Sequence, residues 1–194
     1  TRLVKKGESA PGDREQPYKT TDRMVAYNTH VQSYGWQADK FNGMTSGTTG
    51  LGKRLEAIKI KVGGEYDLGV TYQTHVQTLG WGNWVDDGAL SGTTGQAKRL
   101  EAIRIKLTGN DADKFDVYYR VHAQTFGWLG WAKNGETAGT SGFAKRLEAI
   151  QIYVVPKGMT PSSGTSAVSY VQYGKAASKS DQPGLINYAT HVQT

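Results

Sequence analysis

Cysteine is absent from the 194-residue chain. Disulfide frameworks and thiolate metal sites are therefore excluded, and the fold must rest on packing and hydrogen bonds. A cysteine-free chain fits an exported protein of an anaerobe and a cytosolic protein equally well. No apolar run approaches the length of a membrane-spanning helix. No stretch sustains a helical period either. Proline is scarce, with 5 residues against 25 glycines. Glycine-rich turns between short apolar runs favour an all-β chain. No signal peptide is visible, and the sequence starts at Thr1 rather than Met, which reads as a processed or trimmed chain and favours export.

The formal net charge is +6. A basic chain suits an anionic partner such as a cell-wall polymer. No basic cluster is interleaved with stacking aromatics, so no nucleic-acid platform is expected. Lys59, Lys61, Arg104 and Lys106 alternate with apolar residues, the pattern of a solvated sheet face.

What the chain has is a repeat. Tyr72-Gln73-Thr74-His75-Val76-Gln77, then Gly80-Trp81, then Arg99-Leu100-Glu101-Ala102-Ile103 form its middle copy. An earlier copy carries His30, Gln32, Gly35-Trp36 and Arg54-Leu55-Glu56-Ala57-Ile58. A later copy carries His122, Gln124, Gly127-Trp128 and Arg146-Leu147-Glu148-Ala149-Ile150. His to Trp is 6 residues and Trp to Arg is 18 in every copy. Only the link from Arg to the next His varies, 21 and then 23 residues. Length changes fall between copies, so each copy behaves as one supersecondary unit.

Each unit predicts two long strands. In the first, Val25, Tyr27, Thr29 and Val31 point to the core, while Ala26, Asn28, His30 and Gln32 point away. Val70, Tyr72, Thr74 and Val76 repeat the pattern. In the last, Ile58, Ile60 and Val62 face in, matched by Ile103, Ile105 and Leu107 and by Ile150, Ile152 and Val154. A shorter strand is expected around Trp84-Val85 and Trp131-Ala132, followed by a turn at Ser46-Gly47-Thr48, Ser91-Gly92-Thr93 and Ala138-Gly139-Thr140. The domain reading is an arm at 1–23, with a short strand at Arg2-Leu3-Val4, and a three-repeat domain at 24–155. The repeats fall at about 24–66, 67–110 and 111–155. A linker at 156–167 and an extension at 168–194 follow. The extension carries a strand-like Val168-Ser169-Tyr170-Val171 and ends as the first strand of a fourth copy, at residues 186–193. That unpartnered strand either adds to a sheet edge, on this molecule or a neighbour, or simply begins a second triplet cut short at Thr194, and the surroundings of Tyr188 and Val192 decide between the two.

The motif from Tyr72 and His75-Val76-Gln77 through Gly80-Trp81, Trp84-Val85, Gly88 and Ser91-Gly92-Thr93 to Arg99-Leu100-Glu101-Ala102-Ile103 resembles the ChW repeat, a clostridial hydrophobic repeat with a characteristic Trp. The resemblance covers Val25 to Val155 and the fragment at the end. It implies a secreted or surface protein of a Gram-positive anaerobe, with repeats grouped in threes and a role in adhesion or in binding polysaccharide or cell wall. The first copy departs from the pattern, with Asp39 where the others have Trp84 and Trp131. If that ring contributes to a ligand site, the first copy is the weaker one.

Three equal units of about 45 residues imply an all-β domain closed by pseudo-threefold symmetry, because one unit cannot bury its apolar face alone. A β-prism of three small sheets fits best, with a β-trefoil as the alternative.

Several residues could carry chemistry. His30 with Gln32, His75 with Gln77 and His122 with Gln124 face outward. They could hydrogen-bond sugar hydroxyls beside a Trp platform, or they could hold the loop that covers them. Trp36, Trp81 and Trp128 are expected to be buried near the axis, with Trp84 and Trp131 partly exposed. Arg54 and Glu56, Arg99 and Glu101, and Arg146 and Glu148 are expected to form structural ion pairs on the inward side, on the face of Ile58 and its equivalents. One Glu per unit does not supply the paired carboxylates of a glycosidase, and no enzyme activity is expected. The four His residues lie 45, 47 and 69 apart, so no metal site and no cofactor is expected.

These readings converge on a secreted or cell-surface, non-catalytic module binding a glycan or cell-wall polymer. The alternative is a subunit of an extracellular filament or surface layer, joined to copies of itself through its termini.

Overall fold

The computed structural model describes residues 24–161 and 168–175. Among them the secondary structure is β-strand, apart from one 3-10 turn at Ala112–Lys114. Each repeat opens on a long strand, Val25–Val31, Gly69–Val76 or Phe115–Ala123. It closes on another, Leu55–Val62, Leu100–Thr108 or Leu147–Pro156. The two pair antiparallel within each repeat. Burial alternates along the first opening strand as its sequence predicts, with Val25, Tyr27, Thr29 and Val31 buried. Tyr27, Tyr72 and Tyr119 join Ile58, Ile60, Ile103, Ile105, Ile150 and Ile152 in one apolar core shared by all three repeats. Burying each such side chain stabilises the fold by about 2 kcal/mol.

The segments between the long strands hold short ones. Gly35–Trp36, Gly80–Trp81 and Gly127–Trp128 fold back on their opening strands. So do Lys40–Phe41, Val85–Asp86 and Ala132–Lys133. The Ser-Gly segments are not simple turns, as the sequence had suggested. Ser46–Gly47, Ser91–Gly92 and Ala138–Ser141 are clasp strands, and each pairs with a closing strand of a different repeat. The second repeat clasps the first, the third clasps the second, and the first clasps the third. Three sheets are thereby joined in a ring, and the chain forms a closed pseudo-threefold β domain. No repeat completes a sheet alone, which is why the repeat length is kept while the linkers vary.

Two devices fasten each clasp. Gly47 and Gly92 sit at φ +102° and +106°, and a Cβ on either would lie 2.4 Å from the carbonyl oxygen of Glu148 or Glu56. Only glycine lets the two backbones approach this closely. The second device is the buried tyrosine. Tyr72 accepts a hydrogen bond from Ile60 N–H of the first repeat at 3.0 Å and donates to Ala89 O. Tyr27 accepts from Ile152 N–H of the third repeat at 3.2 Å and donates to Met44 O. Tyr119 donates to Glu136 O and is bonded to the backbone of Ile105 in the second repeat. Burial pushes the Tyr72 pKa up to about 12 and raises those of Tyr27 and Tyr119 as well.

A hydroxyl pair lies under each of two clasps. Thr29 meets Ser46, and Thr74 meets Ser91, both at 2.9 Å and buried. The third repeat carries Val121 and Ala138 at these places, both fully buried. Both partners are apolar there, so no hydroxyl is stranded. Thr74→Val alone is expected to cost about 1–2 kcal/mol, because the Ser91 hydroxyl loses its partner in the core. Thr74→Val with Ser91→Ala is expected to recover most of that loss. Urea unfolding of the two single variants and the double variant measures the coupling.

Past Pro156, the strand Tyr170–Gln172 adds in parallel to Ala138–Ser141. The expected strand at Arg2-Leu3-Val4 and the terminal segment 186–193, with Tyr188 and Val192, lie outside the described residues.

Candidate functional site

A bulge in each long hairpin builds the site. His30 pairs with Ala57 and Val31 with Leu55, leaving Glu56 without a partner in the register. The same shift leaves out Glu101 and Glu148. Uninterrupted alternation would put these glutamates on the core face with Ile58, Ile103 and Ile150. The bulge instead turns Leu55, Leu100 and Leu147 into the core and sets the glutamates beneath the histidines.

Each glutamate is buried and gripped from two sides. Arg54 Nε and Nη2 reach Glu56 Oε1 at 2.8 and 2.7 Å. Arg99 reaches Glu101 at 2.9 and 2.8 Å, and Arg146 reaches Glu148 at the same distances. The other carboxylate oxygen faces histidine. His30 Nδ1 lies 2.9 Å from Glu56 Oε2, His75 lies 3.2 Å from Glu101 and His122 lies 3.0 Å from Glu148. These are ion-pair distances, but none of the three Nδ1 atoms completes an aligned hydrogen bond. The expected Arg–Glu ion pairs therefore form, with the histidine ring lying against the other oxygen of each carboxylate. The glutamine of each His-x-Gln closes the same corner through its backbone. Gln32, Gln77 and Gln124 N–H donate to the carbonyls of Arg54, Arg99 and Arg146 at 3.0, 2.9 and 2.9 Å.

The first tryptophan of each repeat is not in the core, contrary to the burial expected for Trp36, Trp81 and Trp128. Its strand pairs it directly across from the histidine, on the outer face. Trp36 is 38% exposed, and Trp81 and Trp128 are half-buried. The histidine rings meet the indoles edge-on, with centroids 5.5, 5.5 and 5.6 Å apart. The core positions that could take a large ring are already filled by Tyr27, Tyr72 and Tyr119.

A cation lies across each indole. Lys59 Nζ is 4.8 Å from the Trp36 centroid, and the Arg104 guanidinium is 4.2 Å from that of Trp81. In the third repeat the cation changes strands. Asn28 pairs with Lys59 and Gln73 with Arg104, but Arg120 pairs with Gln151. Amide and cation have exchanged places across the hairpin, and the cation still covers Trp128, at 5.0 Å. Arg120 also covers Trp131 at 4.7 Å. Burial pulls its pKa down, with Tyr153 acting the other way. Lys106 covers Trp84 at 4.7 Å. Trp84 is 39% exposed and Trp131 is half-buried against Tyr153, so both are partly exposed as expected. Asp39 takes the place of this ring in the first repeat and accepts a hydrogen bond from Asn28 at 2.6 Å. Lys59 and Arg104 thus lie over rings, where the sequence had suggested only a solvated face.

The sequence model of the family described as ChW, clostridial hydrophobic W, matches three times, at residues 30–64, 75–109 and 122–156. These segments cover more than half of the chain. The chain belongs to the ChW family. No curated protein and no solved structure matches it. Each ChW match begins at the histidine of a cluster and runs to the end of the closing strand that bears its glutamate or just past it. The family signature therefore contains the whole Trp–His–Glu–Arg constellation of each repeat.

The three ChW constellations lie in separate sheets, so the histidines do not converge. Among the described residues, no three His, Asp or Glu side chains are placed to hold a metal ion. No helix among them is long and apolar enough to cross a membrane. Chemically, each constellation offers a fixed indole, a cation and polar edges on an outward face. The sequence singled out the histidines and tryptophans as candidate contacts, but not the cations. Their signal is the cross-strand pairing of one amide with one cation in every copy, visible only once the hairpin register is known.

Proposed function

We propose that this ChW protein is an extracellular, surface-associated, non-catalytic module that binds a glycan or cell-wall polymer. The observation that carries the reading is the outward Trp–cation face, built three times on rigid hairpins and fixed from below by the Arg–Glu–His cluster. An indole offers an apolar platform to a sugar ring, and the adjacent cation suits an anionic or hydroxyl-rich polymer. Three weak faces on one body raise avidity without any new contact.

Pull-down on purified cell walls, together with a glycan array, tests this proposal. Saturable binding is expected, and no carbohydrate binding by the folded protein would overturn it. Trp84→Ala is expected to weaken binding by about tenfold while leaving the melting temperature nearly unchanged, because the ring is exposed. Trp131→Ala is a less clean probe, since that ring packs on Tyr153.

A second reading, a filament or surface-layer subunit joined by strand addition, draws on the parallel docking of Tyr170–Gln172 onto a clasp strand. Size-exclusion chromatography with negative-stain microscopy separates the two readings. A monomer under all conditions removes the second.

A further inference from the structure

The strand Tyr170–Gln172 occupies a seat that the fold builds more than once. It lies beside the clasp strand Ala138–Ser141, whose other neighbour is Leu100–Thr108. Gly139 N–H donates to Ser169 O at 2.9 Å, Gly130 N–H to Val168 O at 2.8 Å and Tyr173 N–H to Ser141 O at 3.0 Å. The Tyr170 hydroxyl donates to Ser141 Oγ at 2.6 Å. Tyr173 meets Phe143 edge-on at 5.4 Å, and Phe143 meets Phe126 at 5.4 Å. Tyr173 also covers Gly142, where an added Cβ would lie 2.9 Å from its own Cβ.

The first repeat presents the same seat. By repeat position, Gly139, Ser141, Gly142, Phe126 and Phe143 correspond to Gly47, Thr49, Gly50, Tyr34 and Leu51. Thr48 N–H turns toward Glu148 O at 2.8 Å. Strand alternation then points Gly47 N–H the opposite way, as Gly139 N–H points to Ser169. Gly50 and Gly142 share a backbone conformation, φ +73° and +76°, but among the described residues nothing lies over Gly50. Tyr34 and Leu51 are 52% and 59% exposed, whereas Phe143 beneath Tyr173 is half-buried. Among the described residues no strand is added at Ser46–Gly47. The second repeat has the glycine, Gly95 at φ +72°, but Leu79 and Gln96 in place of the apolar pair.

We infer that the first repeat is a docking site for one extended strand of another polypeptide, added in parallel to Ser46–Gly47 with an aromatic side chain seated across Tyr34 and Leu51. Main-chain hydrogen bonds supply the affinity of such an addition, and the apolar seat supplies its selectivity. Among the described residues, the one strand that fills an equivalent seat has the order Val168-Ser169-Tyr170-Val171-Gln172-Tyr173, so the partner segment carries an aromatic at the position of Tyr173 and a hydroxyl at that of Tyr170. The site involves none of the tryptophans and is independent of the polymer-binding reading.

The test titrates the full chain with a synthetic peptide of residues 168–175, followed by calorimetry and by amide chemical shifts. Saturable binding of one peptide per chain is expected, with shifts at Gly47, Thr49 and Leu51. Tyr34→Ser with Leu51→Asp is expected to weaken it by at least about tenfold. Both residues are exposed, so the melting curve should be preserved. Leu79→Ser in the second repeat should leave binding unchanged. No saturable binding at millimolar peptide, or full binding by the double variant, would overturn the inference. So would self-association of the wild-type chain that the double variant abolishes, since the occupant would then be a second copy.

Discussion

Gly47→Ala is expected to destabilise the domain by about 4 kcal/mol, combining the strain of a positive φ with the overlap of two backbones. The φ there is +102°, and the new Cβ would lie 2.4 Å from Glu148 O and 2.8 Å from Ala149 Cα. Both contacts are main chain, so no side chain can swing aside to relieve them. The clasp strand Ser46–Gly47 must lift from Leu147–Pro156, and the ring then opens between its first and third repeats. A domain of this size has about 5–15 kcal/mol to lose, so the variant should unfold at much lower urea. Gly92→Ala is expected to cost about the same. Its Cβ meets Glu56 O and Ala57 Cα at the same two distances, although that clasp joins repeats adjacent in sequence. Equal costs are what a closed ring requires. An open array would feel the second substitution and not the first.

Glu101→Ala is expected to cost about 3 kcal/mol, the scale for removing one partner of a buried ion pair. The carboxylate is the meeting point of Arg99 and His75. Without it, Arg99 keeps its charge among packed residues with only 20% of its side chain exposed. That partial exposure keeps the cost at the lower end of the range. Arg99→Met with Glu101→Leu should recover part of the stability, because it removes both charges together. It should not restore the proposed polymer binding. His75 then loses the carboxylate that lies 3.2 Å from its Nδ1, and His75 is what meets Trp81 edge-on. Polymer binding through that face should fall even where the protein is fully folded, as read by cell-wall pull-down below the melting transition.

The long strands were legible in the sequence because alternation in Val25, Tyr27, Thr29 and Val31 encodes both the strand and its inner face. The pseudo-threefold β domain was legible from equal repeat lengths. Two features were not. A bulge has no period of its own, so the turn of Glu56, Glu101 and Glu148 to the outer face could not be read from spacing. The clasps were hidden in segments rich in Ser, Gly and Thr, where turn chemistry and a two-residue strand look alike. The tryptophans were misplaced for a related reason. Size argues for burial, but Trp36 belongs to a short strand lying across from His30, and that register fixes its face. Trp84 was placed correctly because the first repeat does without its ring, which no core position could.

The first repeat closes the ring onto the third. Tyr27 and Ile152 are 125 residues apart, and the Tyr27 hydroxyl accepts the Ile152 N–H. Amide hydrogen exchange at Ile152, followed by NMR in Tyr27→Phe, tests that bond most directly. Closure predicts faster exchange at Ile152, with Ile60 keeping its wild-type rate because its acceptor is Tyr72. An Ile152 amide that exchanges in the variant as it does in the wild type would contradict it.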